Sequence, residues 1–525
     1  MARILVTDPI AREGVALLEQ HHQVDVRLGL PPAELKAAIG EYEGLVVRSE
    51  TKVTADVIEA GQRLQVIGRA GVGVDNIDLD AATRRGVTVV NAPTGNVVAA
   101  AEHTVALMLA MARNIAQADA SLRRGEWRRR DFVGVGLRNK TLGIVGLGNV
   151  GSEVARRARP LVTRLLAFDP FVPQEYARAL GVELTDLDTL LSTSDFITIH
   201  TPLTDSTRGM IGKRQLDMMK PGVRLVNVAR GGLVDEQALA EALESGKVAG
   251  AALDVFDREP PQDSPLLKSG KVVATPHLGG STAEAQVEVA REVAEQVMAV
   301  LRGEPARFTV NLPFVSPEVQ AALGPYIKVA ATLGRLAVQL AEPQLDSVTL
   351  EYRGEIAAHD TGILTSSALA GLLGPATAER VNLVNARLVA RQRGLNVLEQ
   401  KGGQTDQYSN LVSVEARSGA HVTRVAGTVM RDEVHLVRVN DYWLDMVPTV
   451  PYLLFIEHVD RPGMIGAVGT ITGRQDINIA FMEVGRLQAR GGAMMVVGLD
   501  DPMPEPVLAE VRAIPQVRLA RLVRL

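Results

Sequence analysis

Thr141-Leu-Gly-Ile-Val-Gly-Leu-Gly-Asn-Val-Gly151 is a short apolar run that breaks into Gly146-x-Gly148-x-x-Gly151 and then into a helical pattern, with Val150, Val154, Ala158 and Leu161 at helical spacing. A strand, a tight turn and a helix in that order present unpaired helix N–H groups to phosphate. Gly146 suits the turn, Gly148 the close approach of backbone to a pyrophosphate, and Gly151 the packing of helix on strand. A second strand, Arg164-Leu-Leu-Ala-Phe168, ends on Asp169, about twenty residues beyond the turn, where a carboxylate accepts both ribose hydroxyls and repels a 2′-phosphate. The stretch predicts a dinucleotide site that prefers NAD to NADP.

Working outward, 525 residues exceed what one core organises, and three or four domains are expected. A net charge of -5 gives no reason to expect nucleic acid or an anionic membrane as partner. With no cysteine, disulfides, thiolate zinc sites and a cysteine nucleophile are excluded, and a reducing cytoplasm is consistent with this. No metal site is expected. Met1-Ala-Arg-Ile-Leu-Val-Thr-Asp reads as a first strand rather than a signal peptide. Val97 to Ala112 carries Glu102 and His103, so it reads as a buried or interface helix rather than a membrane span.

Strands at Ile4 to Thr7, Val24 to Val26, Leu45 to Val47, Val66 to Ile67 and Val87 to Val90 alternate with helical stretches, the pattern of a parallel sheet covered on both faces. Two of these strands end on arginine, Arg48 and Arg69. Ligands bind beyond the carboxyl ends of such strands, and paired guanidinium groups suit a doubly charged phosphate. Two solvated or ion-paired arginines are the plainer alternative. From 99 to 283 the alternation continues as a second doubly wound sheet, with Asp169, Thr201, Arg230, Asp254 and His277 along one rim. Asn311-Leu-Pro-Phe-Val-Ser-Pro317 reads as a hinge into a separate unit, 318 to 450, of alanine- and leucine-rich helix and alternating strands. The last 75 residues run strand, helix, strand, strand, helix, strand, a ferredoxin-like order, with Asp460 expected near the cap of the first helix and Pro462 in its first turn.

Oxidising a 2-hydroxy acid needs a base for the hydroxyl proton, a cation for the carboxylate and a nicotinamide for the hydride. His277 suits the base and Arg230 the cation, while Glu259, in Asp254-Val-Phe-Asp-Arg-Glu-Pro260, suits the partner that fixes the imidazole tautomer. Whether the three converge is left open by the residues alone.

Four stretches carry a resemblance: Gly146-Leu-Gly-Asn-Val-Gly, Asn227-Val-Ala-Arg-Gly-Gly-Leu-Val-Asp235, Leu253-Asp-Val-Phe-Asp-Arg-Glu-Pro260 and Thr275-Pro-His-Leu-Gly-Gly-Ser-Thr-Ala-Glu284. They are similar to the signatures of the D-isomer-specific 2-hydroxyacid dehydrogenases. Val47-Arg-Ser, Gly68-Arg-Ala-Gly-Val-Gly-Val-Asp-Asn76 and the two C-terminal units resemble the long form of that family. The resemblance implies a substrate-binding domain at 1–98 and 284–313, an inserted NAD-binding Rossmann domain at 99–283, an intervening regulatory α+β domain at 314–450 and an ACT domain at 451–525.

It also implies oxidation of 3-phospho-D-glycerate to 3-phosphohydroxypyruvate with NAD, the entry to L-serine synthesis. Arg230, Glu259 and His277 match catalytic positions. Gly146, Gly148, Asn149, Val150, Gly151, Asp169, Thr201, Val228, Ala229, Arg230, Asp254, His277, Leu278, Gly279 and Gly280 match cofactor-contacting ones. Arg48, Arg69 and Arg230 match substrate positions, and His458, Asp460 and Asn478 match effector positions for L-serine. A homotetramer is implied in the same way. The alternatives are a glyoxylate or hydroxypyruvate type of dehydrogenase and, in a different class, an NAD-sensing corepressor scaffold.

Overall fold

The structure is a computed structural model that describes residues 1–312, 317–377, 380–403 and 407–525. Its first sheet holds β1 (Arg3–Val6), β2 (Gln23–Val26), β3 (Gly44–Val47), β4 (Val66–Arg69) and β5 (Thr88–Asn91) in the order β2-β1-β3-β4-β5. All its pairings are parallel. The strands are short runs of Ile, Leu and Val because a parallel sheet is buried on both faces. Strand order reverses between β1 and β3, and a crevice opens there beyond the strand ends.

A second parallel sheet contains β6 (Thr141–Val145), β7 (Arg164–Phe168), β8 (Glu183–Leu184), β9 (Phe196–Ile199), β10 (Val223–Asn227), β11 (Val248–Leu253) and β12 (Val272–Ala274). The order β12-β11-β10-β9-β6-β7-β8 reverses between β6 and β9, which places the glycine turn after β6 at the switch point.

The chain crosses between these sheets twice. It leaves β5 through the helix Val97–Ala112, whose Leu107, Met108 and Met111 join the core of the second sheet. It comes back through the helix Ala283–Leu301, whose Val289, Val293 and Val297 pack with Ile4, Val46 and Val66 of the first. Each such buried valine contributes about 2 kcal/mol of transfer free energy, so the first sheet is completed only by this late helix. Glu292 ties the two crossings, accepting from the Thr94 hydroxyl at 2.5 Å and from Gly95 N at 3.2 Å.

The third sheet consists of β13 (Ser347–Gly354), β14 (Asn396–Gly402), β15 (Asn410–Ser418), β16 (His421–Met430), β17 (Glu433–Val439) and β18 (Tyr442–Met446), in the order β14-β13-β15-β16-β17-β18. The fourth is an antiparallel sheet of β19 (Tyr452–Val459), β20 (Ile479–Arg486), β21 (Gly492–Leu499) and β22 (Val517–Arg524), in the order β20-β21-β19-β22. Alternation along β19 divides its side chains between two cores. Leu454 and Ile456 meet the helices of their own unit, whereas Leu453 and Phe455 share a core with Leu333, Leu336 and Val414 of the preceding one. The two C-terminal units are therefore one packed body.

One expectation needs correction. The helix after β19 is Met464–Arg474, entered through Gly463 in the left-handed region at φ 93°, so Pro462 lies outside it and Asp460 does not cap it. Asp460 instead accepts from Arg490 N at 3.1 Å and pairs with Arg486 at 3.4 Å. In the stretch read as a hinge, Asn311 is fastened to the first sheet, donating to Val87 O at 2.9 Å and accepting from Val89 N at 2.9 Å. Residues 313–316 of that stretch lie outside the described residues.

Candidate active site

Because the strands of the second sheet are parallel, every loop after a carboxyl end lies on one rim, and Gly146, Asp169, Thr201, Val228 to Arg230, Asp254 and His277 to Gly280 are all on it. Gly146 has φ 94°, and a side chain there would lie 2.7 Å from His200 O. A Cβ on Gly151 would run into Gly146 O, while one on Gly148 would meet only open space. The helix Asn149–Ala158 starts at Gly148 with no side-chain cap, so its first N–H groups face that space. Asp169 braces the turn, its Oδ2 accepting from Leu147 N at 2.9 Å and its Oδ1 from Phe171 N at 2.9 Å. These features fit a dinucleotide diphosphate above Gly148 and a ribose beside Asp169.

Asp254 holds together the loop that carries His277. Its side chain is fully buried, with Oδ1 accepting from the Thr275 hydroxyl at 2.6 Å and Leu278 N at 2.7 Å, and Oδ2 from Gly279 N at 2.8 Å. Burial pushes this carboxyl up, but the bonds from His103, Thr275, Leu278 and Gly279 outweigh it, and the group rests below the ordinary carboxylate range. Asp254 O also accepts from His277 N at 2.9 Å, so one residue shapes the whole loop that carries the imidazole.

His277 sits on that loop with φ 56°, and its Nδ1 lies 2.8 Å from Glu259 Oε2. Burial raises the Glu259 carboxyl, but the hydrogen bond and charge of His277 and the N–H of Phe256 outweigh it, leaving it below its usual value. With Nδ1 engaged, Nε2 is the nitrogen left for a substrate. His277 and Glu259 line a cavity of about 730 Å³ whose opposite wall contains Arg48, Ser49, Lys52 and Arg69. The imidazole of one sheet and the guanidinium groups of the other thus share one cleft.

Arg69 is largely buried, and its Nε is sealed from solvent without a partner. Burial first, and then the like charges of Arg230 and Arg48, bring it down to about 10, with Asp75 and Asp8 offsetting part of this. A cation so placed favours an arriving anion. Arg230 does not line the cavity. It reaches across from the end of β10, donating to its own Ala229 O at 2.7 Å and lying 3.6 Å from Asp75 of the facing loop.

Sequence reading did not single out Asn96, Gln286 or Lys52, all in the cavity wall. Their only signal was position, within a few residues of a strand end or a helix start. His458, Asp460 and Asn478 do not come together within the chain. Val459 pairs with Gly492 at one end of the fourth sheet, and Ile479 with Leu499 at the other. Asn478 is therefore separated from Asp460 by the length of β19, 8 residues or roughly 25 Å. His458 is buried, its Nδ1 2.9 Å from Val459 O.

The two wound sheets, the glycine turn at the switch point and the imidazole backed by a carboxylate define an NAD-dependent dehydrogenase of 2-hydroxy acids, and residues 105–279 match the family model of the D-isomer specific 2-hydroxyacid dehydrogenase NAD binding domain. Residues 322–440 match the D-3-phosphoglycerate dehydrogenase intervening domain, and 452–516 the ACT domain. The chain belongs to the D-3-phosphoglycerate dehydrogenase family: it is 45% identical over its full length to that enzyme from Synechocystis sp., covering 95% of it, and 44% identical to that from Methanocaldococcus jannaschii, covering all of it. The TT0316 protein from Thermus thermophilus is similar in structure, at TM-score 0.55 and 36% identity over 59% of this chain and 99% of that one. An NAD-dependent formate dehydrogenase from Staphylococcus aureus, in complex with NAD, matches 58% of this chain and 96% of its own at TM-score 0.53 and 31% identity. No helix among the described residues is long and apolar enough to cross a membrane.

Proposed function

We propose that the protein oxidises 3-phospho-D-glycerate to 3-phosphohydroxypyruvate. The observation that carries this reading is the shared cleft, with His277 and Glu259 on one wall and the cations Arg48, Lys52 and Arg69 on the other. When bound, NAD supplies the acceptor for the C2 hydride. His277 Nε2 takes the C2 hydroxyl proton, and Glu259 stabilises the imidazolium that forms. Arg230 leaves Asp75 to hold the carboxylate, and Arg48 and Arg69 hold the phosphate. Asn149, Val150, Val228, Ala229 and the 278–280 turn contact the nucleotide.

The test is NADH absorbance with 3-phospho-D-glycerate against D-lactate and D-glycerate. A strong preference for the phosphorylated acid is expected. Equal rates on all three would put a glyoxylate or hydroxypyruvate type of enzyme in its place, and no NADH from any acid would favour the corepressor scaffold.

L-Serine is proposed as effector, bound between two copies of the chain, with His458 and Asp460 from one and Asn478 from the other. Its support is the separation of these residues within one chain, and the test is inhibition by added L-serine. A homo-oligomer, in the family pattern a tetramer, is supported by exposed apolar side chains on one segment, Ile115 54%, Leu122 57%, Trp127 81% and Val133 81% accessible. Light scattering checks it.

A further inference from the structure

The reading of Arg48 as a phosphate-binding residue rests on where its turn is held, and two side chains hold it. Asp8 follows β1 and Arg48 follows β3, on either side of the point where the first sheet reverses its strand order. Asp8 is 1% exposed, and its Oδ2 accepts from Arg48 N at 2.6 Å and from Thr51 N at 3.1 Å. The Thr51 hydroxyl donates to Asp8 Oδ1. The carbonyl side of the same turn is held separately. Asn76 Nδ2 donates to Arg48 O at 2.8 Å and to Thr51 O at 2.7 Å. Both N–H groups and both carbonyls that bound the 48–51 turn are thus engaged, each pair by one side chain.

The Arg48 guanidinium, by contrast, has no hydrogen bond or ion pair among the described residues. No cation lies within ion-pairing distance of the Asp8 carboxylate there. A buried carboxylate answered by backbone N–H groups is a costly arrangement unless something depends on it. What depends on it is a loop that must present a cation without its own counter-ion.

We infer that Asp8 and Asn76 are positioning residues for substrate recognition: together they clamp the 48–51 turn so that Arg48 is presented, unpaired, to the phosphate of the substrate. Asp8 acts through the turn, and it does not itself line the cavity. This rests on the assignment of Arg48 to phosphate made above.

Asp8→Asn and Asn76→Ala, alone and each combined with Arg48→Ala, test it with 3-phospho-D-glycerate and D-glycerate as substrates, calorimetric titration of NAD and thermal melting. Each single variant is expected to raise KM for 3-phospho-D-glycerate about tenfold or more, the scale on which supporting residues act. KM for D-glycerate, kcat at saturation and NAD affinity are expected to stay within about twofold. In the Arg48→Ala background neither substitution adds to the loss, because the residue it serves is gone.

Equal KM losses on both acids, weakened NAD binding, or losses that add fully to that of Arg48→Ala overturn the inference. Should Asp8→Asn melt below the assay temperature, Asn76→Ala and Thr51→Val carry the same expectation. Arg48→Ala with raised KM beside clamp variants with unchanged KM overturns the positioning alone. Arg48→Ala with unchanged KM on the phosphorylated acid removes the phosphate assignment and this inference with it.

Discussion

The cleft and the C-terminal sheet solve the problem of gathering distant residues in opposite ways. In the two parallel sheets every strand points the same way, so residues as far apart in sequence as Arg48, Arg69, Glu259 and His277 meet at one cavity within a single chain. The fourth sheet is antiparallel, and the loops before and after its strands alternate between its ends. Asp460 and Asn478, only one helix apart in sequence, stand at opposite ends. Parallel topology gathers its residues into one cavity, whereas this antiparallel sheet parts the proposed effector residues between its two ends, which is why the proposal above calls on a second copy.

The largest expected effect tests the self-contained side. His277→Ala lowers kcat about 10³-fold, within the usual span for a lost general base, with NAD affinity retained by calorimetry. Unchanged turnover would remove His277 from the reaction. Arg69→Met is expected to raise KM for 3-phospho-D-glycerate about a hundredfold, the cost of losing a charge-assisted clamp on an anion. The same substitution is expected to raise the melting temperature of the ligand-free protein by a few degrees, because it removes a cation that burial and two neighbouring arginines disfavour. A fall in both substrate affinity and melting temperature would show that Arg69 supports the fold.

The divided site gives a third prediction. Asp460→Ala and Asn478→Ala each abolish the response to L-serine, and chains carrying one or the other, assembled together, regain part of it, since one of the two sites at every mixed interface is intact. No recovery in the mixed oligomer would show that the two residues do not share a ligand.

The smallest effect concerns pH. The folded value of Asp254 lies below its unfolded one, about 3.9, so its contribution to stability is complete above that pH and is lost as pH falls through the folded value. Asp254→Asn is expected to lower the urea midpoint at pH 7 and to make its decline below pH 4 shallower. An unaltered acid limb would mean that the buried carboxylate is not what titrates.

Much of this was legible in the residues because parallel α/β architecture writes itself plainly: apolar strands, glycine turns and polar residues at strand ends fix which loops share a rim. NAD binding followed from those patterns, and the 2-hydroxyacid dehydrogenase family from the resemblance of the four stretches that begin at Gly146, Asn227, Leu253 and Thr275. The facing of His277 and Glu259 did not, since it depends on how the loop from Asp254 to Pro260 folds over Phe256, and loop conformation has no periodicity to read. Asp8 was invisible for a related reason. Followed by a proline at the end of β1, it has the look of an ordinary turn residue, and only the backbone N–H groups of residues forty positions later give it a purpose. The misplaced cap at Asp460 shows the converse, a residue type favoured at helix starts that here serves a loop across the sheet.

The paired crossings between the first two sheets restrict how the cleft breathes. Two bodies fastened at a pair of neighbouring points keep one easy freedom, rotation about the line through those points, and Glu292 draws the fastenings together beside Thr94 and Gly95. Opening is then a jaw-like swing with its pivot at the back of the gap, and sliding of one lobe past the other is suppressed. A closure about that pivot would bring Arg48 and Arg69 toward His277 along a single arc.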